Sequence, residues 1–373
     1  MDALSNGKGS LMSLRILHLV LAPRLSGAEV LAKELAVHQR REGNVVCVTS
    51  LLPEHGDFAP LRTELADNDV ACRFPRKRHS IAGKLWHLYQ VVRSMRPDVI
   101  FAHATIPAFY VRALPIAAPI VYVMHSATND FERQLFRRVE RILSARARAV
   151  VGVSRTNVED YLANVGPHPL MIVIPNGVDT TRFLNHVPPE DVVRPPQIVQ
   201  IGRYTEVKNQ IQTVHAFAEV LREAPDAHLL LCGVIEDPDY YAAVVELVDK
   251  LGLGESVVVE GPRTDVEKML AEASVFAMPS YSEGHSIAFL EALASGIPIV
   301  ASAIGPFAFA KDFPGVQLLD TDDTAAYARA LLSALRQQRA ARELKGLTLQ
   351  DSAEQYLAVA RRVVRHRDAE LRV

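Results

Sequence analysis

Two doubly wound α/β domains, each built on a parallel β-sheet, are predicted from three features of the sequence. Short apolar runs alternate with segments of helical periodicity along the chain. The alternation stops at a proline-containing linker, residues 178–196, and then starts again. The 373 residues exceed what one ordinary hydrophobic core organises. Ligands of such sheets bind beyond the carboxyl ends of the strands, so we expect the two domains to face each other across a cleft.

The first block, residues 1–178, is predicted to be an N-terminal domain. Residues 1–13 are polar and are expected to be frayed. Continuous apolar runs, typical of buried parallel strands, lie at residues 14–21, 45–49, 70–74, 99–103, 120–125, 149–154 and 171–174. Helical periodicity separates them at residues 27–41, 57–67, 81–95, 107–116, 131–147 and 155–165. Pro175, Asn176 and Gly177 then form a strong turn signal.

The second block, residues 179–350, repeats this pattern and is predicted to be a C-terminal domain. Its strands are expected at residues 197–201, 227–232, 257–260, 275–278, 297–302 and 316–319. Its helices are expected at residues 208–223, 240–251, 265–272, 287–294 and 324–339. A last helix is predicted within residues 351–373, and we expect it to pack back against the N-terminal domain.

Composition and charge restrict the function classes. The apolar share of 49% and the charged share of 23% are those of a soluble globular protein, and the net charge of −2 implies no nucleic-acid partner. Residues 1–179 carry a net charge of +6 and residues 180–373 one of −8. The basic half is compatible with an anionic acceptor or membrane surface, and equally with ordinary solvated charge. No apolar run reaches the length of a membrane span, and residues 14–22 are interpreted as a strand and not as a leader.

Three widely spaced cysteines, Cys47, Cys72 and Cys232, lie inside apolar runs. Their number and spacing indicate buried free thiols in a reducing compartment and no metal site. We therefore expect a cytoplasmic protein, with peripheral contact to the inner face of the membrane as the alternative that the basic half leaves open.

A pair of cations follows the first strand of the second block. Gly202 allows the backbone to turn close to a ligand, and Arg203 and Lys208 bring two positive charges near one point. Such charges hold a diphosphate through charge-assisted hydrogen bonds without a metal. Two exposed basic residues at a helix start are the alternative, although a cation is slightly unfavourable there.

Two acids and a helix start lie close together in residues 280–296. Glu283 falls in the turn before the helix predicted at residues 287–294, and Glu291 lies about two turns further on. The backbone N–H groups of residues 284–287 lie at the helix start, where they can bind an anion. Carboxylates accept hydrogen bonds from vicinal hydroxyls, so this stretch predicts a site for a sugar, a phosphate and a ribose in a row.

Three residues in the first block also lie at strand ends. Gly27 opens the helix after the first strand, and His103 and His125 each end a strand. A lone histidine at such a place is more often a packing residue, but two at the edge of one cleft favour a function for at least one of them.

Together these residues make the chain resemble glycosyltransferase family 4, the retaining, nucleotide-sugar-dependent enzymes of the GT-B fold, in which two Rossmann-like domains face each other across a cleft. The similarity covers nearly the whole chain from Arg15 onward. It is carried by S-G-A-E at residues 26–29, V-S-R at 153–155, I-P-N-G-V-D at 174–179, I-G-R…K-N at 201–209 and E-G…L-E-A-L-A-S-G-I-P-I-V-A-S at 283–302.

The resemblance implies roles for individual residues. Arg203 and Lys208 would bind the donor diphosphate and stabilise its leaving charge, and Glu291 would hold the ribose. Glu283 and the amides of the turn would contact the donor sugar and phosphate. The implied donor-binding set is Gly27, Gly202, Arg203, Lys208, Glu283, Gly284, His285, Ser286, Ile287 and Glu291. His125, Arg203, Lys208 and Glu283 are the implied catalytic residues, and His103 is an acceptor-side residue.

The family also implies that no cofactor or metal is needed, because the leaving phosphate takes the proton of the acceptor. A glycan or a lipid-linked molecule is the implied acceptor, in the synthesis of cell-envelope polysaccharide, lipopolysaccharide or glycoconjugates. The chain departs from the family at Ser26, at His285 and Ser286, and at residues 303–310. A sugar-nucleotide epimerase or phosphorylase of related fold, and a non-catalytic sugar-nucleotide-binding protein, are the alternatives.

Overall fold

The computed structural model describes residues 13–126, 131–184 and 194–370, which form two parallel β-sheets covered by helices. The frayed segment predicted at residues 1–13 lies outside this range except for its last residue. The strands are β1 (Arg15–Val20), β2 (Val45–Ser50), β3 (Ala71–Arg73), β4 (Val99–His103), β5 (Ile120–Met124), β6 (Ala149–Gly152), β7 (Met171–Val173), β8 (Gln197–Ile201), β9 (His228–Cys232), β10 (Val257–Glu260), β11 (Val275–Met278), β12 (Ile299–Ser302) and β13 (Val316–Leu319).

The helices connect successive strands, as parallel pairing requires. They are α1 (Gly27–Arg41), α2 (Ala59–Asp67), α3 (Ile81–Met95), α4 (Thr105–Ala113), α5 (Gln134–Leu143), α6 (Arg155–Asn164), α7 (Thr180–Leu184), α8 (Gln210–Glu223), α9 (Pro238–Lys250), α10 (Val266–Glu272), α11 (Ile287–Ala294), α12 (Thr324–Leu335) and α13 (Leu349–Glu370). None of these described helices is both long enough and apolar enough to cross a bilayer.

The order of the strands decides where a ligand can bind. The first sheet runs β3-β2-β1-β4-β5-β6-β7 and the second runs β10-β9-β8-β11-β12-β13. The strand order therefore reverses between β1 and β4 in one sheet and between β8 and β11 in the other. A crevice opens at such a reversal, beyond the carboxyl ends of the two strands, because their connections leave to opposite faces.

Apolar side chains from both faces of each sheet form the cores. One cluster of the first sheet joins β1, β2, β4 and β5 to α1 and also includes Tyr356, Ala360 and Val363 of α13. The last long helix thus packs on the first sheet, although it follows the second sheet in sequence. The domain boundaries expected at residues 178 and 350 stay predictions.

Near these two positions, the backbone of Val178 forms hydrogen bonds with Leu347 and Leu349, so two chain segments run side by side.

Several elements differ from their predicted bounds. The helix predicted from Lys208 begins at Gln210, because Asn209 adopts a left-handed conformation after a 3₁₀ turn, Glu206–Lys208. Asparagine tolerates that conformation better than most residues. The helix predicted at residues 131–147 is shortened to α5 and followed by the 3₁₀ turn Ser144–Arg146. Helix α7 occupies part of the predicted linker, and the remainder of the linker up to residue 193 lies outside the described residues.

Candidate active site

A cavity of about 400 Å³ lies between the two sheets, at the point where both strand orders reverse. Most of its lining comes from the loops after β1, β5, β8, β9, β10 and β11, and from one side of α1 and α11. The predicted residues Gly27, His125, Gly202, Arg203, Lys208, Glu283, Gly284, His285, Ser286, Ile287 and Glu291 all line this cavity. The chain thus brings together side chains that are far apart in sequence.

Each of the two predicted cations is paired with a carboxylate. The Lys208 ammonium group donates to Glu283 at 2.5 Å, and both side chains are largely buried. Nη1 of Arg203 lies 2.5 Å from Oε2 of Glu236. The same oxygen lies 3.3 Å from Nη2 of Arg24. Because Arg24 follows β1 and Glu236 follows β9, this second network joins the two sheets.

The turn between β11 and α11 forms the wall opposite α1. Ser286 caps α11 by accepting from the backbone N–H of Phe289 at 3.4 Å. The backbone N–H groups of residues 284–287 donate to no partner among the described residues, so they remain able to bind an anion. Asn176 donates from Nδ2 to the carbonyl of His285 at 2.7 Å and so holds the turn from the other side.

The two halves approach each other closely at Gly284. A Cβ atom placed there would lie 2.1 Å from the carbonyl oxygen of His125. Gly27 lies opposite Ile287, whose Cδ1 would be 3.8 Å from an added Cβ. At Gly284 the absence of a side chain lets the backbones of the two halves approach closely, whereas the distance at Gly27 is an ordinary van der Waals contact.

Two acids in the cavity hold their protons more strongly than usual. Burial raises the pKa of Glu291 to about 7, and the positive charge of Arg182 only partly offsets this effect. Burial also raises the pKa of Glu29 to about 7, although the Ser26 hydroxyl donates to its carboxylate. Both groups therefore titrate near neutral pH, and a polar ligand can change their ionisation.

Of the two histidines predicted at the cleft, one lines the cavity and the other is buried. His125 lines the cavity, whereas His103 is only 1% exposed and lies behind it. The Nδ1 atom of His103 is 3.0 Å from Nε2 of His125. The ring of His103 thus lies behind that of His125, and the acceptor-side role of His103 stays a prediction.

The side chain of His285 makes a contact that the sequence did not predict. Its ring stacks on Phe309 with centroids 5.4 Å apart, and burial lowers its pKa to about 4. The segment that departs from the family pattern after Ser302 thus supports a cavity residue directly.

Several residues that line the cavity received no role from the sequence. They include Arg24, Glu29, Lys33, Asn176, Arg182 and Val234. Arg24 follows a strand end, so the placement rule that identified Arg203 could have identified it. Arg182 belongs to α7, which gave no helical signal, and its bonds to Glu267 depend on a distant part of the chain.

Comparisons with known families cover both sheets. The family model described as Glycosyltransferase Family 4 matches residues 25–182, and the one described as Glycosyl transferases group 1 matches residues 184–346. The chain is 23% identical over 357 residues to UDP-Gal:alpha-D-GlcNAc-diphosphoundecaprenol alpha-1,3-galactosyltransferase of Escherichia coli, a match that covers 87% of this chain and 89% of that protein. It is 30% identical over 175 residues to GDP-mannose-dependent alpha-(1-6)-phosphatidylinositol monomannoside mannosyltransferase of Mycolicibacterium smegmatis, covering 43% and 45%.

Solved structures share the fold. HepE of Anabaena, in complex with UDP and glucose, superposes with a TM-score of 0.73 at 19% identity, covering 93% of this chain and 99% of that one. WaaG, a glycosyltransferase involved in lipopolysaccharide biosynthesis, gives a TM-score of 0.64 at 17% identity, covering 91% and 94%. These likenesses confirm the predicted fold class, two parallel α/β sheets in the GT-B arrangement. As the sequence motifs implied, the chain belongs to glycosyltransferase family 4, whose members transfer a sugar from a nucleotide-sugar donor.

Proposed function

We propose that this enzyme uses a UDP- or GDP-sugar and transfers a hexosyl or N-acetylhexosaminyl group to a glycan or lipid-linked acceptor. The pathway would be the synthesis of cell-envelope polysaccharide, lipopolysaccharide or glycoconjugates. The activities of two relatives, a UDP-Gal-dependent galactosyltransferase and a GDP-mannose-dependent mannosyltransferase, support this range of donors and acceptors.

The observation that carries the proposal is the convergence of two cations and two acids on one cavity. Arg203 and Lys208 would bind the donor diphosphate, Glu291 the ribose, and Glu283 the donor sugar. The amides at the start of α11 add partial positive charge beside the phosphate. The cavity is thus lined by two cations that can bind a diphosphate and by two acids that can accept hydrogen bonds from sugar hydroxyls.

The proposed transfer is a substitution at the anomeric carbon. The bond from that carbon to the diphosphate oxygen breaks, and the acceptor hydroxyl forms a new bond on the same face. The departing phosphate takes the hydroxyl proton, so no separate side-chain base and no metal is required. Lys208 and Arg203 would lower the barrier by stabilising the negative charge that develops on the leaving diphosphate.

An exposed apolar and basic surface supports the lipid-linked acceptor. Helices α3 and α5 flank α4 on one face of the first sheet. Ile81 and Trp86 of α3 are 69% and 60% exposed, and Leu135 and Ile142 of α5 are 68% and 76% exposed. Arg76, Lys77 and Arg78 precede α3 in sequence, and Arg137, Arg138 and Arg141 lie within α5. Such a surface suits peripheral contact with an anionic bilayer.

The test of function is a screen of UDP-, GDP- and ADP-sugars for thermal stabilisation, followed by product analysis with candidate acceptors. Binding of one nucleotide together with acceptor-dependent release of the nucleoside diphosphate supports the proposal. Interconversion of sugar nucleotides without an acceptor would indicate an epimerase, and consumption of phosphate a phosphorylase. Stabilisation without turnover on any acceptor would indicate a binding protein.

The membrane surface has a separate test in vesicle sedimentation. We expect salt-sensitive binding to anionic vesicles that weakens when Leu135 and Ile142 are both changed to serine. Equal binding of the wild type and this variant, or no binding at low salt, would refute the proposal that this surface contacts a membrane.

A further inference from the structure

A row of hydrogen-bonded side chains connects helix α1 to the cavity through the interior of the first sheet. His18 lies in β1, His103 ends β4 and His125 follows β5. His18 Nδ1 is 2.9 Å from His103 Nε2, and His103 Nδ1 is 3.0 Å from His125 Nε2. At the inner end, His18 Nε2 is 2.8 Å from Oε1 of Gln39 in α1. The last ring of the row lines the cavity.

All three rings are neutral at physiological pH. Burial lowers the pKa of His18 and of His125 to about 4 and holds that of His103 well below 6.5. A neutral imidazole has one N–H and one lone pair. Two neutral rings share a hydrogen bond only when one offers its N–H and the other its lone pair, so the tautomer of each ring dictates that of the next.

Gln39 gives the row its direction because an amide oxygen can only accept. His18 must therefore donate from Nε2, which leaves its Nδ1 as the acceptor for the Nε2–H of His103. By the same rule, Nδ1 of His103 accepts from the Nε2–H of His125. The Nδ1 atom of His125 then carries the lone pair, and it makes no hydrogen bond within the part of the chain that the structure describes.

We propose that Gln39, through His18 and His103, fixes His125 in the Nε2–H tautomer, so that Nδ1 accepts a hydrogen bond from a sugar hydroxyl in the cavity. Gln39, His18 and His103 are then positioning residues that do not touch the substrate. The inference that the partner is a sugar hydroxyl rests on the proposed function, whereas the tautomer itself does not.

The Gln39 amide also provides the competing arrangement. Its Nε2 atom is buried without a partner among the described residues. Rotating the amide end over end would bring an N–H against His18 and reverse every hydrogen bond of the row. His125 would then carry an Nδ1–H, which donates to a ligand and cannot accept from it. The protonation of one ring nitrogen therefore distinguishes the two arrangements.

The experiment is ¹⁵N–¹H correlation NMR of the histidine rings in the full-length protein, which separates protonated from unprotonated ring nitrogens. We expect Nε2–H signals for His18, His103 and His125. Gln39→Met removes the accepting oxygen and should let His125 populate both tautomers; His18→Phe breaks the row at the next link and should do the same. Tyr356→Phe is the matched control, because its hydroxyl has no partner among the described residues and its ring contacts Phe101, beside His18.

An Nδ1–H signal for His125 in the wild type overturns the proposal, as do unchanged His125 signals in a folded Gln39→Met protein. If both variants fail to fold, the wild-type spectrum alone decides. As a functional readout, we expect Gln39→Met to lower turnover about three- to tenfold, the range of one neutral hydrogen bond, with unchanged affinity for the nucleotide. Failure of the wild type to turn over any donor would refute the proposed function but leave the tautomer result standing.

Discussion

At the scale of single residues, Lys208 is the side chain on which the proposed activity depends most directly. Its ammonium group is largely buried and paired with Glu283, so its position beside the cavity is fixed. We expect Lys208→Ala to lower kcat by about 10²- to 10³-fold, the usual loss when one preorganised group that stabilises a leaving charge is removed.

The matched control for Lys208 is Arg222→Ala. Arg222 is an exposed cation of α8 that pairs only with Glu219 on its own helix, among the described residues, and does not line the cavity. Steady-state kinetics with the identified donor measure both variants. Turnover of Lys208→Ala at the level of Arg222→Ala would contradict the assignment of Lys208.

Glu291 gives a prediction about pH. Its pKa is about 7 in the folded protein against an ordinary value of 4.5, so its proton stabilises the fold below pH 4.5 and this contribution is lost as the pH rises through 7. Glu291→Gln removes the titration. We therefore expect the variant to gain stability relative to the wild type over this range, by less than about 1.4 kcal/mol per pH unit, which is the limit for one proton.

Chemical unfolding of both proteins across that pH range checks this expectation. The raised pKa of Glu29 and the lowered pKa values of the buried histidines are common to both proteins, so they cancel in the difference. A difference in unfolding free energy that is independent of pH would show that Glu291 titrates normally.

A cavity residue could be predicted from the sequence only where its position follows from the local sequence pattern. Arg203, Lys208, Glu283 and Glu291 lie directly after predicted strands or on a helix next to one, so parallel topology alone directs them to one edge. Glu236 could not be recognised in this way, because its contact with Arg24 depends on how the two sheets are placed relative to each other. His18 lies inside a strand, where its sequence neighbours indicate only burial.

At the scale of elements, the bounds of the strands were predicted better than those of the turns that line the cavity. Buried parallel strands are continuous apolar runs, and β4 has its predicted bounds. The segment before α8 was interpreted as helix, whereas Asn209 breaks it in a left-handed conformation. The exposed apolar residues of α5 satisfy a helical pattern even though the helix ends at Leu143, so periodicity did not define its end.

The turn between β11 and α11 gives a prediction at this scale. Because a Cβ at Gly284 would lie 2.1 Å from a backbone oxygen of His125, the two segments must separate to accommodate alanine. We expect Gly284→Ala to cost about 1 to 3 kcal/mol of stability, as overpacking usually does, and to weaken nucleotide binding.

Gly254→Ala is the control for this variant, since nothing among the described residues lies within 4 Å of the Cβ it would add. Thermal unfolding with and without UDP compares the two proteins. If Gly284→Ala and Gly254→Ala had the same melting temperature and the same response to UDP, the close approach would not be needed for the site.

At the scale of the whole molecule, backbone hydrogen bonds and ion pairs connect the two halves of the chain. Two chain segments run side by side near Val178 and residues 347–349. Gly177 leaves no room for a side chain there, because a Cβ atom on it would lie 2.2 Å from the carbonyl oxygen of Thr348. The ion pairs of Glu236 add a second connection, on the cavity side. The basic half and the acidic half recognised in the sequence thus meet at residues with defined partners.

Glu236 is the residue through which this connection can be tested. Its carboxylate neutralises Arg24 from one half and Arg203 from the other, so a diphosphate that binds Arg203 must compete with it. Glu236→Gln removes the competing charge. We expect UDP to bind about two- to fivefold more tightly, the range of a partly exposed ion pair, with a smaller gain at high salt because the interaction is screened.

Glu246→Gln is the matched control, because it removes the same charge from a position on α9 outside the cavity. Calorimetry with UDP at low and high salt compares the two variants with the wild type. A gain in affinity common to both variants would reflect net charge alone. Weaker binding specific to Glu236→Gln would mean that the carboxylate holds the arginines in place for the diphosphate, since loss of an orienting partner lowers affinity whereas loss of a competitor raises it.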